Sequence, residues 1–166
     1  MESRVKVLGH PIHPMLVVVP LGSFIPAVIV DVIGAVSGNQ TLSVVGFWNI
    51  AVGVVGGLVA AAFGLADWLN IPGKTRAMRV GLMHGALMVV VTATFAVVWL
   101  LRYGAPDVTP TTPLLAIEVG ALLGGAVAGW LGGELVDRLG VGVDEGAHLD
   151  APSSLTGRPA HTGSSR

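Results

Sequence analysis

The stretch GHPIHPMLVVVPLGSFIPAVIVDVIGAV, residues 9–36, decides the fold. From Pro14 to Val36 it is apolar apart from Ser23 and one carboxylate, Asp31. About 20 apolar residues cross a hydrocarbon core of about 30 Å at about 1.5 Å per helical residue. A secretory signal carries an apolar region of only about 7–15 residues and a small-residue cleavage site. This run is longer and shows no such site, so it reads as a retained span. Pro14 suits the first helical position, where its missing N–H costs nothing. Pro20 and Pro26 remove the N–H partners of the Leu16 and Gly22 carbonyls, so the helix is expected to bend there.

Three more runs follow, about Leu42 to Ala66, Val80 to Leu101 and Leu114 to Val136. The chain is 52% hydrophobic and 11% charged, with a mean hydropathy of +0.77. A soluble surface normally draws on about 25% charged residues, so lipid is the expected solvent. The expectation is an all-α integral membrane bundle of four transmembrane helices (about 14–36, 42–66, 80–101 and 114–136). They form a domain over 14–139, preceded by an entry segment, 1–13, with the GHPIHP motif. A tail, 140–166, is polar and rich in small residues and is expected to be disordered. The 24 glycines fall largely within the apolar runs, as close helix packing in lipid requires. A net charge of −1 gives no field for nucleic acid. The absence of cysteine removes disulfides, thiol catalysis and cysteine-held clusters.

Lysine and arginine set the orientation. Arg4 and Lys6 precede the first run, Lys74, Arg76 and Arg79 separate the second from the third, and Arg138 follows the fourth. Arg102 alone falls on the other side, so both termini are expected in the cytoplasm.

Eighteen residues make about five helical turns, about 27 Å, and return to the same face. His13 and Asp31 stand at that spacing, as do Asn49 and Asp67, and His84 and Arg102. Alternating topology sorts these groups into two layers. His10, His13, Asp67 and His84 fall in a cytoplasmic layer, near Arg76 and Arg79. Asp31, Asn49, Arg102 and Glu118 fall in an outer layer, where Arg102 can pair with both carboxylates. No ionisable residue is expected at mid-membrane, which disfavours a proton relay, an ion pump or a small transporter. Glu134 points away from the glycine face of the fourth run and belongs to no site. The aromatic residues, mostly near span ends, read as an interfacial belt.

Histidine ligates metals through a ring nitrogen. His10, His13 and His84 offer three nitrogens and Asp67 an oxygen, a set that suits a divalent ion such as zinc, iron or manganese. Alternatively His84 pairs with His13 or His10 as axial ligands of one haem b, with Lys74, Arg76 and Arg79 near its carboxylates. The structural alternative is that these groups are interface-depth residues bonding backbone carbonyls, which is cheap there. No phosphate loop, nucleophile elbow or HExxH motif is present, so hydrolase and nucleotide-binding readings find no support.

The GHPIHPML opening (residues 9–16), Asp67-Trp68, His84 and the glycine-rich ending Gly132-Gly133-Glu134-Leu135-Val136 to Gly140–Val143 resemble the bacterial family of domain of unknown function 2231. The resemblance spans roughly residues 5–143. It implies a four-span protein of a bacterial inner or plasma membrane. Some members are joined to Rieske-type iron–sulfur domains, which implies a link to electron transfer and a membrane redox partner. The first functional expectation is therefore a metal- or haem-binding redox module at the cytoplasmic face. The second is a non-catalytic scaffold or homo-oligomer packed through glycine-lined helices.

Overall fold

The computed structural model describes residues 1–105, 107–158 and 160. The expectations for the end of the tail, including His161, lie outside the described residues. Two short strands, β1 (Lys6–Val7) and β2 (His10–Pro11), pair antiparallel with Lys6 opposite Pro11 and Val7 opposite His10. Leu8 and Gly9 turn between them with φ of 51° and 82°, a turn that suits glycine. A Cβ on Gly9 would also meet Ser154 Cβ at 2.7 Å. This explains the first residue of the GHPIHP motif.

Helices α1 (Ile12–Leu16) and α2 (Val18–Ser37) form the first span, followed by α3 (Gln40–Trp68), α4 (Arg76–Tyr103) and α5 (Thr112–Gly133). The chain thus has four helical segments long and apolar enough to cross a membrane. Pro11 caps α1 and Pro14 lies in its first turn. The helix is interrupted at Val17, one residue after Leu16, whose carbonyl loses its partner because Pro20 has no N–H. Through Pro26, by contrast, α2 runs uninterrupted. Gly38 ends α2 in the left-handed conformation, with φ of 69°. Asn39 and Thr75 cap α3 and α4 through side-chain bonds to the Thr41 and Met78 amides. After Gly133 the helix widens into a π turn over Glu134–Arg138.

Beyond α5 the chain returns to the first residues. The Met1 ammonium donates to Gly140 O at 2.9 Å, and the Gly142 amide donates to Met1 O at 2.8 Å. Lys6 donates to Glu2 at 2.6 Å and holds that carboxyl below the usual glutamate range, helped by the Glu145 amide.

Helix α2 packs on α3, α4 on α5, α3 on α4 and α5 on α2. Helices α2 and α4 therefore face each other across the bundle diagonal. Their core is Phe24, Ala27, Val28, Val91, Phe95 and Val98, joined by Ile50 of α3. The outward face is apolar too, with Ile25, Ile29, Val55, Val89 and Leu123 all exposed. Such a surface matches lipid rather than water.

The two hairpins repeat each other. His13, Phe24 and Asp31 each meet a residue 71 positions later: His84, Phe95 and Arg102. The second helix of each hairpin carries a matching pattern. Gly56, Gly57, Ala60 and Gly64 on α3 recur at one constant offset as Gly124, Gly125, Ala128 and Gly132 on α5. Equivalent residues that meet each other at three depths define an approximate twofold axis along the bundle. Because both hairpins start at the same end, this is a parallel repeat.

Candidate functional site

At the end of the bundle that carries β1, β2 and the π turn, His13 and His84 meet on the axis. Their ring centroids lie 6.5 Å apart with planes at 85°. His13 Nδ1 lies 2.9 Å from Ala60 O, and His84 Nδ1 lies 2.8 Å from Ala128 O. A carbonyl only accepts, so each Nδ1 carries the hydrogen. In the neutral ring each Nε2 then keeps its lone pair. Glycine makes room for each imidazole. A Cβ on Gly64 would meet His13 Cε1 at 2.8 Å, and one on Gly132 would meet His84 Cε1 at 3.2 Å. The two half-sites are thus alike: a histidine donates to an alanine carbonyl and rests on the glycine one turn further along the same helix.

The other two expected ligands lie elsewhere. His10 sits exposed on the hairpin, its Nδ1 3.2 Å from Leu8 O and 3.4 Å from Ser154 Oγ. Asp67 accepts from Ser3 Oγ at 2.6 Å, which ties the end of α3 to the first residues. Among the described residues, no group of three or more histidine and acidic side chains gathers, so the four expected ligands do not form one site. Of the neighbouring cations, Arg76 bonds Glu134 at 2.6 Å, while Lys74 and Arg79 are exposed. Trp68 donates to Met78 O at 3.1 Å and secures the α3–α4 turn.

The opposite end is closed by ions. Arg102 reaches Asp31 through both terminal nitrogens, at 2.7 and 2.9 Å, and Glu118 through Nη1 at 3.0 Å. Its remaining hydrogens go to Ser43 O at 2.9 Å and Val108 O at 2.8 Å. All three ionic side chains are 0% exposed. Gly46 lies directly beneath the Asp31 carboxylate, which a Cβ there would strike. Phe47 adds its ring 5.9 Å from the guanidinium and stacks on Trp99. Asn49, expected in this layer, instead donates to Val45 O of its own helix at 2.9 Å.

The sequence reading missed Ala60, Gly64, Ala128 and Gly132, which position the histidines, and Ser43, which completes the arginine's shell. The signal for the first four was the repeated spacing of two glycines, an alanine and a glycine on α3 and α5.

No curated protein and no solved structure matches the chain. A family model does, over residues 9–145, a range that takes in the GHPIHP motif, all four spans and the π turn. By that match the chain belongs to the family of domain of unknown function 2231, described as a predicted membrane protein.

Proposed function

We propose that this membrane protein is a redox module that holds one metal centre between His13 and His84. The observation that carries the reading is the preparation of both rings. Each Nδ1 is engaged by a helix carbonyl, so each Nε2 is left to bind. Metal-ligating histidines commonly have their other nitrogen fixed in this way. With ring centroids 6.5 Å apart at one end of the bundle, His13 and His84 would be near enough to hold one centre between them. Two histidines complete a haem, whereas a lone zinc ion calls for about four ligands. Haem is therefore the favoured centre, with zinc, iron or manganese completed by further ligands as the variant. Lys74 in the α3–α4 turn and Arg79 near the start of α4 supply positive charge for haem carboxylates. The lysine and arginine bias supports a cytoplasmic position for this end.

The visible spectrum of protein purified from membranes tests the reading. A Soret band lost in both His13→Ala and His84→Ala is the expected result. A stoichiometric metal ion without that band would replace haem with the ionic centre. A colourless, metal-free and stable protein would overturn both.

A second reading, a membrane scaffold, draws on α5. Among the described residues, and apart from its chain neighbours and its own helix backbone, nothing lies within 4 Å of a Cβ placed on Gly120, Gly129 or Gly133. Such an open small-residue face can take a second helix. Crosslinking in native membranes that yields only monomer would count against it.

A further inference from the structure

At the end of the bundle away from the histidines, Asp31, Arg102 and Glu118 form a group whose charges do not balance. Two carboxyls meet one guanidinium, and none of the three is exposed. An arginine has five N–H donors. Here they go to the two Asp31 oxygens, to Glu118 Oε1 and to the Ser43 and Val108 carbonyls. No guanidinium donor remains for Glu118 Oε2, which is buried without a partner. The Ser43 hydroxyl is likewise buried without one. Both carboxyls bond the same Nη1, which holds them side by side.

The repeat shows that packing does not call for this second acid. Asp31 and Arg102 are equivalent across the twofold axis and neutralise each other. At the offset that maps Ala60 onto Ala128, the equivalent of Glu118 is Ile50, equally buried at 0%. The first hairpin fills that place with hydrocarbon. The second places there a carboxyl with one oxygen unanswered.

We infer that this cluster binds one exchangeable proton, carried on Glu118. Two ionised carboxylates repel and cannot hydrogen-bond to each other, whereas a shared proton lets one donate. The step is simple protonation: the Glu118 carboxylate takes a proton from water at this end and becomes the neutral acid. The Oε2 hydroxyl then donates toward Asp31, which stays ionised against Arg102. The buried group becomes neutral and the orphaned oxygen gains a hydrogen bond. The ionisable groups that face Glu118 are Asp31 from α2 and Arg102 from α4. Helix α3 carries no titratable side chain at this end and contributes the Ser43 carbonyl to Arg102. Tyr103, at the end of α4, and Asp107, which bonds Gln40 and the Thr109 amide, are exposed. The site is independent of any ligand on the histidines and lies at the other end of the same axis.

Infrared spectroscopy of the full chain in lipid tests the inference. At neutral pH a protonated-carboxyl carbonyl band is expected. It should shift in heavy water, shift again when glutamate carboxyls carry carbon-13, and vanish in Glu118→Gln. Because glutamine replaces a neutral acid, that variant should keep its thermal midpoint within a few degrees. The isotope shift reads the wild-type chain and decides the question even if the variant misfolds. Absence of the band, or a band that ignores the glutamate label, would overturn the assignment. So would a thermal midpoint that rises with sodium at fixed ionic strength in the wild type but not in Glu118→Gln. That result would mean the oxygen holds a metal cation instead.

Discussion

Arg102 is the largest fully buried side chain among the described residues. Its place follows from one sequence feature, a position eighteen residues after His84 on the same helix face. Reading that spacing brings Arg102 together with Asp31 and Glu118, as the structure does. Asn49 shares the depth but not the outcome, because its amide finds a carbonyl one turn back on its own helix. Sequence spacing places a residue on a face but does not choose between such bonds. Truncation to Arg102→Leu should destabilise the protein by about 3–5 kcal/mol, since it strands buried carboxyl groups. Arg102→Lys should cost less but still be harmful, because three donors replace five. Chemical denaturation in detergent measures both. At the histidine end, Gly64→Ala should be the more harmful of two equivalent changes. Its Cβ would meet His13 at 2.8 Å, whereas Gly132→Ala would meet His84 at 3.2 Å. Overpacking of this kind costs about 1–3 kcal/mol. A larger fall in thermal midpoint for Gly132→Ala would contradict the geometry.

At the scale of elements, the all-α four-helix class was legible because lipid-exposed helices must be apolar on every side. Helix starts were less so, since side-chain caps set them. Helix α4 begins at Arg76, a turn before its apolar run, because Thr75 caps it. The two interior prolines also separate. Proline at 20 coincides with the break at Val17, which divides α1 from α2. Proline at 26 sits exposed in an unbroken helix. Pro26→Ala therefore returns an N–H to the Gly22 carbonyl in a segment already helical and touches no core neighbour. It should raise stability, by at most about 3 kcal/mol, the cost of an interior proline. The GHPIHP motif divides in the same way. His13 turns into the bundle from α1, while His10 stays on the hairpin against Ser154. No periodicity could separate them, because that division depends on the turn at Leu8 and Gly9.

At the scale of the molecule, the eighteen-residue spacing shared by the His13–Asp31 and His84–Arg102 pairs was the trace of a duplication. It stayed illegible because most equivalent positions carry different residues. Asp31 matches Arg102 and Ile50 matches Glu118, so the repeat shows in the sequence only as the sparse glycine and alanine pattern on α3 and α5, and contacts across the axis make the relation plain. The centre of that axis offers the cleanest test. Phe24 and Phe95 stack with centroids 4.1 Å apart and planes 7° from parallel, and both are buried. Each ring is the other's equivalent, so Phe24→Leu and Phe95→Leu should lower stability by similar amounts. An aromatic pair carries about 0.5–1.5 kcal/mol beyond its buried area. The double variant should therefore lose less than the sum of the singles by about that amount, and denaturation of the four chains supplies the cycle. Strictly additive losses would mean that the rings pack on their own hairpins rather than on each other. In that case the twofold axis would not be the seam that joins the two halves.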